Sequence, residues 1–280
     1  MYVADPIHLR SWRAELSLRY EQRGLRTVLA ERRHDGPLVV QKALYPEGDA
    51  VCHSIVVHPP AGIAGGDELH LNLHAASGAH AMLTTPGATK WYRSAGASAQ
   101  QQVNVNVASG ACIEWLPQEA IVFNHARARN VVDVQLAGDA TYIGWDVLCL
   151  GRAGSGERFA DGAYQSRARI ARDGKPVWFE NGHIAGECTL RDSSVGFGGA
   201  TVCATLLAAS PRVDGSHVTA CRSVDASVGR TGITKLPGLL VARYLGDSGE
   251  AARHYLTQLW QVLRPALLGR DVVLPRIWST

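Results

Sequence analysis

Apolar and polar residues alternate strictly in Leu69-His70-Leu71-Asn72-Leu73-His74 and in Val103-Asn104-Val105-Asn106-Val107, which predicts strands with one buried and one wet face. Six more runs read as strands: Pro37 to Leu44, Val51 to His58, Ala111 to Leu116, Val131 to Leu136, Tyr142 to Leu150 and Arg167 to Ile170. Asp173-Gly174, between Arg169-Ile170 and Val177-Trp178-Phe179, signals a hairpin. Such strands, with 29 glycines to turn the corners, predict a mainly β fold: a sandwich, a barrel or a stack of strand layers. No internal repeat of fixed period is visible, so a regular solenoid built from one repeated unit is not expected.

Helical periodicity is confined to the last quarter of the chain. Asp247-Ser248 can cap a segment starting near Gly249, in which Ala252, Tyr255, Leu256, Leu259, Val262 and Leu263 fall on one face. Pro265 predicts that this helix stops or kinks there. A weaker helix is expected between Asp214 and Ala226, and Gly238 to Leu245 reads as a late strand returning to the main body. No low-complexity linker interrupts residues 1–280, so one domain is expected, with a β-rich body over about 10–210 and helices plus the returning strand over about 211–280.

Composition narrows the function. Hydrophobic residues are 46% and charged residues 19% of the chain, a core-forming balance. A net charge of +3, from scattered rather than clustered basic residues, argues against nucleic acid. Met1 to Arg13 lacks an apolar leader and no run approaches the ~20 apolar residues of a membrane span, so a cytoplasmic protein is expected. The six cysteines, at 52, 112, 149, 188, 203 and 221, form no Cys-x-x-Cys pair and read as reduced core residues.

Catalytic signatures are absent. The chain has no Gly-x-x-x-x-Gly-Lys-Ser/Thr phosphate loop, no Gly-x-Ser-x-Gly elbow and no His-Glu-x-x-His pair. His70 and His74 share a strand face but stand ~13 Å apart, too far to hold one ion. Three carboxylates are more informative. Asp146 in Ile143-Gly144-Trp145-Asp146-Val147-Leu148, Glu180 in Val177-Trp178-Phe179-Glu180, and Asp67 after Gly65-Gly66 sit where a charge is costly unless paired or wet. Buried ion pairs (with Arg93, Arg152 or Arg167 as partners), an acid/base pair, and a polar channel for a cation remain open from the residues themselves. The loop Trp115-Leu116-Pro117-Gln118-Glu119 reads either as a strand exit or as a partner contact.

In order along the chain, several long segments resemble the urease accessory family UreD, also called UreH. They are His58-Pro59-Pro60 to Gly65-Gly66-Asp67, Thr85-Pro86-Gly87-Ala88-Thr89-Lys90-Trp91-Tyr92-Arg93-Ser94, Trp115 to Phe123, Leu150-Gly151-Arg152 with Gly156-Glu157-Arg158-Phe159, Val241-Ala242-Arg243-Tyr244-Leu245, Trp260 to Pro265 and Leu274-Pro275-Arg276-Ile277-Trp278. The resemblance runs from about Trp12 to Trp278. Two departures stand out: Ala61 where the family usually has glycine, and Trp91 where phenylalanine is more usual.

This resemblance implies a layered, β-helix-like stack of strands with about two helices near the C-terminus. It also implies a non-enzymatic role in urease maturation: binding UreF, recruiting through it the nickel-carrying GTPase UreG, docking on apo-urease, and offering nickel in transit a route to the buried site. No tightly bound cofactor is implied. Carried over from the family, Asp67, Thr89, Asp146 and Glu180 would line that passage, where weakly held oxygen ligands pass an ion that a tight site would trap. Lys90 and Arg93 would orient carboxylates or contact partners. Two rivals stand beside this reading. A β-rich hydrolase would use Asp146 and Glu180 as an acid/base pair facing each other across ~5–10 Å, and a plain interaction module would keep its carboxylates dry and ion-paired.

Overall fold

The computed structural model describes residues 11–279, and most of the Met1 to Arg13 stretch read for a leader lies outside them. The strands are β1 (Arg13–Arg23), β2 (Arg26–Asp35), β3 (Val39–Leu44), β4 (Cys52–Val57), β5 (Gly62–Ile63), β6 (Glu68–Ala75), β7 (His80–Thr84), β8 (Thr89–Trp91), β9 (Ala99–Val107), β10 (Cys112–Trp115), β11 (Ala120–Val122), β12 (Arg127–Leu136) and β13 (Thr141–Arg152). After these come β14 (Glu157–Arg158), β15 (Ala163–Arg172), β16 (Lys175–Ala185), the one-turn helix α1 (Thr189–Asp192), β17 (Val202–Ala209), α2 (Gly215–Arg222), β18 (Arg230–Leu236), β19 (Leu239–Gly246) and α3 (Gly249–Leu268).

The chain winds as a solenoid. In one sheet β1, β6, β9, β12 and β15 run parallel, and in a second sheet β4, β7, β10 and β13 do the same. Short strands β5, β8 and β11, ending on β13, form a third strip. Alternation decides which side chains stack inside: Leu18, Leu73, Val105, Val134 and Ile170 lie opposite one another on successive strands, and all are buried. The polar partners of the pattern form a ladder on the outer face, where Asn104 donates to Asn72 at 2.9 Å and Asn72 to Glu15 at 3.1 Å.

Successive coils are unequal. Asn72 and Asn104 are 32 residues apart, whereas Gln101 and Asn130 on the next pair of strands are 29 apart. The coil therefore repeats in space without a fixed period in sequence. The hairpin at Asp173-Gly174 joins β15 to β16, with Arg172 opposite Lys175.

The second sheet continues antiparallel from β13 through β17 and β19 to β18, and its outer face carries a second core. There Leu206, Ala208, Leu240 and Ala242 meet Leu256, Leu259, Trp260 and Leu263 of α3. Ser248 caps α3 by accepting from the Ala251 N–H at 3.1 Å, while Asp247 instead accepts from the Thr201 N–H. The helix does not stop at Pro265. It continues to Leu268 and ends on Gly269 in the left-handed conformation. Proline removes only its own N–H from the ladder, and the apolar face held down by Leu263 and Leu267 extends past it. α2 lies where the weaker helix is expected, its Asp214 cap closed by His217. All six cysteines are free; Cys52, Cys112 and Cys221 are buried.

Candidate functional site

Strand register places three polar residues in one row. Asp146 on β13 faces Thr205 on β17, and Thr205 faces Arg243 on β19, so the three side chains project from the same face of the second sheet. That face looks toward the first sheet, from which Glu180 on β16 approaches. Between the sheets lies a cavity of about 610 Å³, lined by Asp146, Thr205, Arg243 and Glu180 among largely apolar walls. Leu190, Val195 and Phe197, from the segment between β16 and β17, line it as well.

Arg243 ties Thr205 of this row to Glu180. Its Nη2 donates to Glu180 Oε1 at 2.7 Å and its Nη1 to Thr205 Oγ1 at 2.6 Å, while the guanidinium carbon sits 5.8 Å from the Trp178 ring centre. Asp146 is different: among the described residues nothing hydrogen-bonds its carboxylate. Burial pushes its pKa up from 3.8 to about 6, the Glu180 charge adds to the rise, and Arg243 offsets part of it.

A second cavity of about 390 Å³ is lined by His58, Thr89, Lys90 and Gln101. Trp115, at the end of β10, lines both cavities and is only 5% exposed. Thr89 is fixed by its N–H donating to the Glu119 carbonyl at 2.8 Å. Burial lowers the His58 pKa and the nearby Asp67 charge partly restores it.

Asp67 lies at the corner before β6. Its two oxygens accept backbone N–H bonds from Trp12 and Ala64, each at 2.9 Å, and it is not among the side chains lining either cavity. The structure thus brings Asp146 and Glu180 together, sets Thr89 in the adjoining cavity, and leaves Asp67 in the turn.

The glycine-rich segment before Asp67 has a packing reason. β5 runs parallel to β8, with Gly62 opposite Lys90 and Ile63 opposite Trp91. A Cβ on Gly62 would collide with the Tyr92 ring, and one on Gly65 with the Ser94 hydroxyl. Ala61 takes φ 62°, the left-handed region in which glycine costs nothing, and its N–H donates to the His58 carbonyl at 2.8 Å. Trp91 is buried edge-on against Tyr164, with ring centres 6.3 Å apart. The Trp115 to Glu119 loop is interior: the Trp145 indole donates to the Pro117 carbonyl at 2.7 Å, and Glu119 pairs with Arg253 at 3.0 Å.

Of the arginines considered as carboxylate partners, Arg152 pairs with Glu157 at 2.5 Å, and Arg167 lines the first cavity. The residue that clamps Glu180 is Arg243, which residue patterns alone did not connect with it. Its signal was a lone charge inside the apolar run Leu239 to Leu245. The sequence reading also missed a buried cluster behind the second sheet. Glu114 accepts from Arg264 Nε at 3.0 Å and from the Trp260 indole at 2.5 Å, and contacts His80 Nε2 at 2.6 Å. Glu47 bonds Arg264 Nη2 at 2.8 Å and His53 at 2.5 Å. A carboxylate inside Cys112-Ile113-Glu114-Trp115-Leu116 is the kind of signal that could have found it. Among the described residues no three His, Cys, Asp or Glu side chains converge as a metal ligand set, and no helix is long and apolar enough to cross a membrane.

Comparison with known proteins matches almost the whole chain to one family. The sequence model of the family described as "UreD urease accessory protein" matches residues 13–279. A urease accessory protein UreD of Dechloromonas aromatica is 53% identical over 282 residues, covering 99% of this chain and 98% of the relative. One from Azoarcus sp. is 54% identical over 280 residues, covering 100% and 97%, and one from Nitrosococcus oceani is 50% identical over 270 residues, covering 96% and 91%. The chain belongs to the UreD family of urease accessory proteins.

Proposed function

We propose that this chain acts in the cytoplasm as the scaffold through which nickel reaches apo-urease, binding a UreF-type partner and through it a UreG-type GTPase, and passing the ion along its own interior. It carries out no bond chemistry of its own. The observation that carries this reading is the placement of Asp146 and Glu180 on the wall of one cavity between the sheets, whose Trp115 boundary is shared with the cavity holding Thr89. Two carboxylates, one hydroxyl and space for water suit a divalent ion that keeps part of its hydration shell and leaves again. Family membership supplies the context of urease maturation.

The hydrolase alternative is less well supported, because Glu180 is held by Arg243 and Thr205 shares that guanidinium, which leaves one free carboxylate rather than a pair. The interaction-module alternative fits Asp67, whose oxygens are taken up by backbone N–H groups. It does not fit Asp146, which faces the cavity and has no ion pair among the described residues. Exposed apolar side chains such as Leu25 and Val195, 89% and 91% exposed, are available to partners.

Co-expression of urease with and without this chain, followed by nickel analysis of the purified enzyme, tests the reading. Nickel content and activity are expected to fall together without the chain; equal loading in both samples would overturn it.

A further inference from the structure

We propose that Arg243 is a built-in counter-cation that occupies the carboxylate site when no metal is there and keeps its affinity for a divalent cation low enough for the ion to leave. This inference rests on the passage reading above and assigns one of its residues a defined part.

The geometry supplies the reasons. A guanidinium stays charged under all physiological conditions, so the site formed by Asp146, Glu180 and Arg243 always contains one positive charge of its own. That charge is already engaged with Glu180 at 2.7 Å, in the position an incoming cation would take. A divalent ion entering the cavity must therefore displace Arg243 from Glu180 or bind Asp146 beside a fixed positive charge. Either event lowers affinity relative to two free carboxylates in the same walls.

The displaced side chain has two places to go. Thr205 Oγ1, at 2.6 Å from Nη1, is a neutral acceptor that can keep one end, and the face of Trp178 lies 5.8 Å from the guanidinium carbon. When the ion leaves, the Glu180 contact re-forms. Arg243 acts as a positioning residue, and because Asp146, Thr205 and Arg243 stand in one row across adjacent strands, the competition is set by the sheet itself.

The test is equilibrium binding of Ni²⁺ to the full-length chain co-purified with its UreF-type partner, comparing wild type with Arg243→Gln, Arg243→Lys, Asp146→Asn and the double variant Arg243→Gln/Asp146→Asn. Arg243→Gln keeps a donor for Thr205 but removes the charge. It is expected to lower the Kd about tenfold or more and to slow release, with Arg243→Lys close to wild type and the double variant losing the gain. A gain of affinity is not what a merely damaged fold produces. If Arg243→Gln leaves the Kd unchanged or raises it while Asp146→Asn weakens binding, the counter-cation role is wrong and the passage reading stands. If none of the variants alters Ni²⁺ binding, both are wrong.

Discussion

Arg264 Nε lies 3.0 Å from Glu114 Oε1 across 150 residues of chain, with neither side chain exposed to solvent. Arg264 comes from α3 and Glu114 from β10, so this pair joins the helical layer to the strand stack. The same guanidinium reaches Glu47 at 2.8 Å and donates to the Asp271 carbonyl. Each charged group is hydrogen-bonded on several sides, the condition under which a buried ion pair is tolerated.

Removing one member leaves the other charge stranded. Arg264→Met is expected to destabilise the chain by about 3–5 kcal/mol, read as a lower midpoint in urea unfolding followed by far-UV circular dichroism. Replacement at an exposed pair such as Arg33–Glu31 should change the midpoint little.

The same cluster sets an acid limit. Burial alone would raise the Glu114 pKa, but the His80 hydrogen bond and charge, the Arg264 charge and the Trp260 indole outweigh it and bring it down from 4.5 to about 2. A carboxyl depressed in the fold contributes stability that is present above its ordinary value and is lost as pH falls from about 4.5 toward 2. Stability measured by urea titration should drop across that window. In Glu114→Gln it should be lower at neutral pH and fall less steeply on acidification.

Asp146 has the opposite sign. Its carboxyl is raised to about 6, so the neutral form is favoured in the fold, and that stabilisation is lost as pH rises through about 6. Asp146→Asn is therefore expected to be more stable than wild type at pH 8, by up to about 3 kcal/mol. The difference should shrink below pH 5 in parallel urea melts.

Ala61 holds a left-handed turn with φ 62°. Ala61→Gly removes the Cβ conflict and, after the greater freedom of glycine in the unfolded chain, should stabilise by about 0.5–1 kcal/mol. A thermal melt checks this, and the same substitution at Ala64, whose backbone is not in that region, should lower the melting temperature.

Much of the fold was legible because alternation is a local signal. Leu69 to His74 and Val103 to Val107 announced strands, and the capping serine with the Ala252 to Leu263 stripe announced the long helix. The winding was less so, since coils of 32 and 29 residues share a shape but no residue period. Pro265 misled because helix burial beyond it compensates for the lost N–H. In the candidate site, carboxylates within apolar strands pointed to Asp146 and Glu180. The clamp on Glu180, Arg243, lies 63 residues away and is placed by sheet register, which no local pattern carries. Glu114 and Arg264 are hidden for the same reason.

The most direct test of nickel passage through the interior is the nickel content of urease matured with the Asp146→Asn/Glu180→Gln chain, in preparations where the accessory complex is shown to be intact. The account predicts urease with clearly less nickel per active site than wild type gives, with the complex still formed. Full nickel loading by that variant would contradict it.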